Sequence, residues 1–216
     1  MTVKLPRGHV NFKLGISSVD QLSGWLKENN QVTGIAMLGR SNVGKSSLIN
    51  SLFGGKTART SKTPGRTREI NIFSFELSWM EGEKREIKTC YLFDLPGYGH
   101  ADVSKEMSKN WDLLMSSFFE NLSPKVVLVG IQDSRHPHQK SDQKFNDFLG
   151  NTTQPRFLVF NKIDKLKTQK ERAKLQKIKP QIYEDYKNVQ QIYFVSAEKK
   201  TNVPELEQGI VNFLLQ

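Results

Sequence analysis

Residues 39–46 read Gly-Arg-Ser-Asn-Val-Gly-Lys-Ser, and few folds can hold that spacing: it suits a loop wrapped around phosphate between a strand and a helix. Thr33–Leu38 before it is short and apolar enough for a buried strand. Ser46–Phe53 after it puts Leu48, Ile49 and Leu52 on one helical face. Gly39 and Gly44 free the backbone of Arg40, Ser41, Asn42 and Val43 to fold as a nest whose N–H groups face anionic oxygens at a helix N-terminus. Lys45 brings a point charge to the terminal phosphates. At the helix start, before Ser47, the Ser46 hydroxyl suits the magnesium that travels with them. The segment predicts a nucleoside triphosphate site.

The base is decided far downstream. Pro155–Asn161 reads as a buried strand that runs into Asn161-Lys162-Ile163-Asp164. Guanine presents two donors side by side, N1–H and the N2 amino group, and the Asp164 carboxylate can accept both. Adenine would leave that carboxylate desolvated and unpaired, which costs roughly 1–3 kcal/mol or more. Asn161 is expected to tie the base loop to the phosphate loop, and the Lys162 stem to cover a face of the base. Val195-Ser196-Ala197, after the last predicted strand, is placed for backbone contacts to guanine O6. GTP and GDP are the expected ligands.

Two further segments complete the predicted site. In Asp94-Leu95-Pro96-Gly97, at a strand end, Asp94 can hold a magnesium-bound water and Gly97 can offer its N–H to the γ-phosphate. Residues 60–69, with Gly65, Arg66, Thr67, Arg68 and Glu69, are polar and basic. A threonine hydroxyl there would complete the magnesium shell only when the γ-phosphate is present, which makes the segment a switch. Thr67 is the first choice and Thr63 the second. The metal set is thus Ser46, Thr67 and, through water, Asp94; Lys45, Thr67 and Gly97 are the candidate catalytic residues.

The rest of the chain reads as one α/β unit, residues 31–216, behind an N-terminal appendage, residues 1–30, that holds a helix over Val19–Glu28 capped by Ser18. Ile70–Met80 and Glu86–Leu95 predict an antiparallel hairpin, and Lys105–Leu122 a helix packed through Trp111, Leu114, Met115, Phe118, Phe119 and Leu122. A strand at Val126–Ile131, helices near Gln139–Leu149 and Lys167–Tyr183, a strand at Ile192–Val195 and a helix near Pro204–Leu215 follow. At 216 residues there is material for one well-buried core. Cys90 is the only cysteine, which excludes an internal disulfide. No apolar run approaches a membrane span, and Met1–Pro6 lacks the apolar core of a secretory signal, so the cytoplasm is the expected compartment. The net charge of +10 points to a polyanionic partner.

Taken in order, Gly39–Ser46, Thr67, Asp94–Gly97, Asn161–Asp164 and Ser196–Ala197 resemble the translation-factor class of P-loop GTPases. The finer resemblance is to the EngB family of ribosome-biogenesis GTPases, through residues 39–50, Thr63-Pro-Gly-Arg-Thr67, Asp94-Leu-Pro-Gly-Tyr-Gly99 and Asp133-Ser-Arg-His-Pro137. The resemblance implies a Ras-like GTPase fold: a mostly parallel six-stranded sheet with one antiparallel strand and helices on both faces. It also implies a magnesium-dependent GTPase acting in assembly of the large ribosomal subunit, with a link to division septum formation. His100 stands where the family usually carries another aromatic, and Asn161 where it commonly carries Thr.

Hydrolysis is less determined than binding. Ras-like enzymes orient the attacking water with a glutamine after Asp-x-x-Gly, but here Gly97 is followed by Tyr98, a poor base that is expected to pack away from the nucleotide. No general base is assigned, and Arg66 and Arg68 read more readily as solvated or RNA-facing than as arginine fingers. Asn42 has two open readings: a ligand for potassium beside the triphosphate, or a hydrogen bond to its own loop. The basic run Lys165–Lys179 and the cations of residues 56–68 favour ribosomal RNA, on the large subunit or its precursor, as partner. DNA, a membrane anchor and a stable oligomer are not expected. The alternatives are a GTPase acting directly on division or membrane proteins, and a scaffold without hydrolysis.

Overall fold

A computed structural model describes residues 3–55, 57–58, 69–99, 105–150 and 152–216. In chain order the elements are β1 (Val10–Ile16), α1 (Val19–Glu28), β2 (Gly34–Gly39), α2 (Lys45–Phe53), β3 (Ile70–Glu81), β4 (Lys84–Asp94), α3 (Lys105–Asn121), β5 (Val126–Asp133), α4 (Lys140–Phe148), β6 (Arg156–Asn161), α5 (Gln169–Lys177), α6 (Lys179–Asp185), β7 (Val189–Phe194) and α7 (Val203–Leu214). They form one sheet in the order β1-β3-β4-β2-β5-β6-β7. Only β3 runs against the others, pairing antiparallel with β1 and β4.

The centre is β2, buried at all six positions. Ile35 and Met37 face a core completed by Leu48, Ile49 and Leu52 of α2 and by Leu206 and Ile210 of α7. Ala36 and Leu38 face the opposite core, with Leu22 and Leu26 of α1 and Leu114, Phe118 and Phe119 of α3. A strand covered on both sides reads as an unbroken apolar run, which is why β2 and β5 were visible as such. The α3 residues expected to pack are buried or, for Trp111, half-buried against this second core. Cys90 is fully buried in β4, and burial pushes its thiol up to about 11, so it is a structural residue.

Two expectations are corrected. The sheet has seven strands where six were expected, because residues 10–16 add an edge strand beyond β3, with Ile16 opposite Ile70 and Val10 opposite Phe75. The helix expected over Lys167–Tyr183 is two helices that meet at Ile178. Pro180 is the cause: it has no N–H for a continuing helix but fits the first turn of a new one.

Candidate nucleotide-binding site

Parallel strands β2, β4, β5, β6 and β7 deliver their C-terminal ends to one edge of the sheet, where the order of connections changes direction. A cleft for a nucleotide belongs there. Residues 39–46 leave β2 and enter α2, with Gly44 at φ 95 as the residue before the helix. Gly44 has a second reason to be glycine. A Cβ there would collide with the side-chain amide nitrogen of Asn161. The Lys45 ammonium forms an ion pair with the Asp94 carboxylate, 7 % exposed at the end of β4. Ser46 follows in the first turn of α2, and its hydroxyl, like the Asp94 carboxylate, is an oxygen donor. Hard oxygen donors of this kind suit magnesium.

Asn161 is the joint between the two ends of the cleft. Its amide nitrogen donates to the Val43 carbonyl at 3.0 Å, and its amide oxygen accepts from Lys162 N at 2.8 Å and Ala197 N at 3.0 Å. With 2 % of its surface exposed, it spends each polar atom on holding three loops in register. Lys162, at φ 68, sends its ammonium back to the Asn42 carbonyl at 2.5 Å and to Asp133 at 2.9 Å. Asp164 accepts from the Ser196 hydroxyl at 2.5 Å and pairs with Lys165 at 3.3 Å. Burial opposes its ionisation, but the Ser196 and Lys165 hydrogen bonds outweigh burial and hold its carboxyl below the ordinary range. It is therefore a ready acceptor for a pair of donors. Ile163 N reaches the Val195 carbonyl at 3.1 Å, locking the two base-side loops together.

At the other end Leu95 and Pro96 are buried, with Leu95 N donating to the Met37 carbonyl at 3.2 Å. Gly97 lies so close to the phosphate loop that a Cβ would sit 2.8 Å from the Ser41 hydroxyl oxygen. Tyr98 does pack away from the cleft: its ring stacks on Phe145 of α4 at 4.1 Å.

Some expected site residues stand elsewhere. Arg40 keeps its backbone in the phosphate loop but turns its guanidinium to α4, reaching Asp142 at 2.9 Å and Gln139 at 2.5 Å. Ser47 is exposed on α2. Glu69 precedes β3 with its carboxylate against Gly15 of β1, outside the cluster around Lys45. Thr63, Gly65, Arg66, Thr67, Arg68 and His100 lie outside the described residues.

The sequence reading gave no role to Asp133. It ends β5, 6 % exposed, and takes hydrogen bonds from Arg135 at 2.9 and 2.6 Å besides that from Lys162. Burial alone would raise its carboxyl, yet these donors hold it far below the usual carboxylate range. The signal was available, since an acid closing an apolar strand beside β2 must point into the cleft or be paired.

Comparison with other proteins agrees with this geometry. A family model described as a 50S ribosome-binding GTPase matches residues 34–162. The chain is 36 % identical over 199 residues to a probable GTP-binding protein EngB of Mycoplasmopsis synoviae, covering 92 % of this chain and 97 % of that protein. It is 39 % identical over 166 residues to the namesake in Chlorobium phaeobacteroides strain BS1, covering 76 % and 78 %. Among solved structures it is similar to a probable GTP-binding protein engB (TM-score 0.58, 25 % identity, 85 % of this chain and 99 % of that one). It is also similar in fold to Era, solved with MgGDPNP and nucleotides 1506–1542 of 16S ribosomal RNA (TM-score 0.61, 24 % identity). There the match covers 85 % of this chain but 57 % of the Era chain.

Proposed function

The chain belongs to the EngB family of GTP-binding proteins and is a GTP-hydrolysing enzyme, and on that premise we propose that it is a nucleotide-gated switch in assembly of the large ribosomal subunit. It meets the subunit or its precursor through ribosomal RNA, as a monomer in the cytoplasm, and its link to septum formation follows from that role. The observation that carries this reading is the surface of α5 beside the base loop. Lys167, Lys170, Arg172, Lys174 and Lys177 are exposed there. The single acid, Glu171, is spent on the helix cap, accepting from Lys167 N and Thr168 N at 2.8 Å each. What remains faces outward as cation, matching a phosphate backbone. No helix among the described residues is long and apolar enough to cross a membrane.

In the reaction, water attacks the γ-phosphorus and the oxygen bridging to the β-phosphate leaves with the electron pair. Lys45, steered by Asp94, offsets the charge that gathers on the β- and γ-oxygens. Gly97 donates its N–H to a γ-oxygen, and Asp164 with Asn161 fixes the base so that the phosphates arrive in register. Magnesium would be held by Ser46 and Thr67 and, through water, by Asp94, and would supply positive charge to offset that of the phosphates. Asn42 is exposed at φ 65, and potassium held by its amide oxygen would add further charge. Turnover in potassium against sodium chloride at matched ionic strength, in wild type and Asn42→Ala, checks that ligand.

The decisive experiment is co-sedimentation with purified ribosomal subunits under GTP analogue, GDP and no nucleotide. Binding should favour the large subunit with GTP analogue and fall steeply between about 50 and 200 mM salt. Equal binding in GDP and GTP analogue, or indifference to salt, overturns the reading.

A further inference from the structure

A carboxylate buried between three elements stands behind Gly97. The Asp142 side chain, in the first turn of α4, is fully enclosed. It accepts from Arg40 Nε at 2.9 Å, from the Tyr98 hydroxyl at 3.1 Å and from Gln139 N at 3.1 Å. A buried charge is tolerated only with such donors in place, so its partners are held where they are. They belong to the phosphate loop, to the segment after β4 and to α4. Burial raises the Asp142 carboxyl while Arg40 and Tyr98 pull it down.

Tyr98 is gripped on both sides. Its backbone pairs with the phosphate loop, N to the Gly39 carbonyl at 3.4 Å and carbonyl to Ser41 N at 3.3 Å. Its ring lies on Phe145 at an interplanar angle of 14°, with its hydroxyl on Asp142. Gly97, one residue back, runs so close to the phosphate loop that a Cβ would fall 2.8 Å from the Ser41 hydroxyl oxygen. We propose that Tyr98 and Asp142 are positioning residues for the γ-phosphate: the stack on α4 and the bond to the enclosed carboxylate keep the Gly97 N–H aimed into the cleft.

This rests on the reading that Gly97 meets the γ-phosphate, and it has a consequence that mere packing lacks. GDP has no γ-phosphate and makes no use of Gly97. GTP draws on a donor that is already in place, so the cost of ordering it is not charged to binding. Loss of the Tyr98 hydroxyl should therefore act on GTP alone, whereas a general loss of packing would weaken both nucleotides or the fold.

The test measures affinities for GDP and for a non-hydrolysable GTP analogue, with GTP turnover, in wild type, Gly97→Ala, Tyr98→Phe, Asp142→Asn and Tyr98→Phe/Asp142→Asn. Tyr98→Phe retains the ring on Phe145 and so retains the fold. It should weaken GTP analogue roughly fivefold, about the value of one hydrogen bond, with GDP affinity unchanged and kcat lowered. The double variant should lose no more of the GTP-to-GDP preference than Asp142→Asn alone. If Gly97→Ala reduces that preference but Tyr98→Phe leaves it intact, or shifts both nucleotides equally, the positioning role is overturned and the reading of Gly97 stands. If Gly97→Ala itself leaves the preference intact, the reading of Gly97 falls and the proposal falls with it.

Discussion

The two ends of the nucleotide cleft are built on different plans. At the base end Asn161, Lys162, Asp164 and Ser196 bond to one another and to the phosphate loop, all within a few residues of the ends of β6 and β7. At the γ-phosphate end Gly97 hangs on its backbone, and its neighbour is fixed by Asp142, 44 residues further along the chain. On the function proposed above, the first end would recognise what GDP and GTP share and is held by its own bonds, and the second would recognise the difference between them and is held through a helix. Variants at the base end should therefore weaken both nucleotides alike, and variants behind Gly97 only one.

Lys45 lies where the two ends meet, and its loss should have the largest effect. Lys45→Ala removes the phosphate charge and leaves Asp94 buried without its partner. GTP affinity should fall on the order of a thousandfold by titration calorimetry, and GDP affinity by less. Asp164→Asn comes next, with about a hundredfold loss of GTP and of GDP and a gain for xanthosine nucleotides, whose C2 oxygen accepts from an amide. A variant that still prefers GTP to xanthosine triphosphate would remove Asp164 from the base site. Asn161→Ala breaks three hydrogen bonds and should cost both nucleotides roughly tenfold to fiftyfold, with a lowered melting temperature. A loss confined to GTP would erase the contrast between the two ends.

The smallest effect is expected at Asp133, which acts through Lys162, and it is best seen against pH. Its carboxyl is depressed in the fold by Arg135 and Lys162 in spite of burial. The ionised form thus favours the folded state, fully so above the ordinary carboxylate value of about 3.9, and this contribution drains away as pH falls below it. Wild type should lose stability more steeply than Asp133→Asn when denaturation is followed from pH 7 to pH 3. Parallel curves would show that the Arg135 and Lys162 bonds add nothing. Nucleotide affinity in Asp133→Asn should drop only a few-fold, equally for GDP and GTP.

The same contrast explains what could be read from the sequence. The base end and the phosphate loop are local: spacing within Gly39–Ser46 and Asn161–Asp164 fixes which groups meet, so residue types alone announced them. Arg40 and Tyr98 lie within such motifs, yet their side chains leave them for Asp142, Gln139 and Phe145. Nothing in 139–145 marks such a meeting, because a carboxylate capping its own helix looks the same whether or not a tyrosine arrives from elsewhere. The interior strands were legible as apolar runs, while β1 was missed. Val10, Phe12, Leu14 and Ile16 alternate with Asn11, Lys13 and Gly15, but only Ile16 is fully buried, so the pattern resembles a polar leader. The break at Ile178 was hidden by a basic run that suits a helix on either side of Pro180.

That edge strand has a consequence for how copies of the enzyme coexist. Without residues 10–16 the outer side of β3 would present a row of bare N–H and C=O groups, flanked by Phe73 and Phe75 and ready to pair with the same strand of another molecule. With β1 in place, the outermost strand is short, irregular between Phe12 and Leu14, and carries Lys13. The appendage thus insulates the sheet. A chain without residues 1–30 would open the core that Leu22 and Leu26 close beside β2 and would also bare the β3 edge to a second copy.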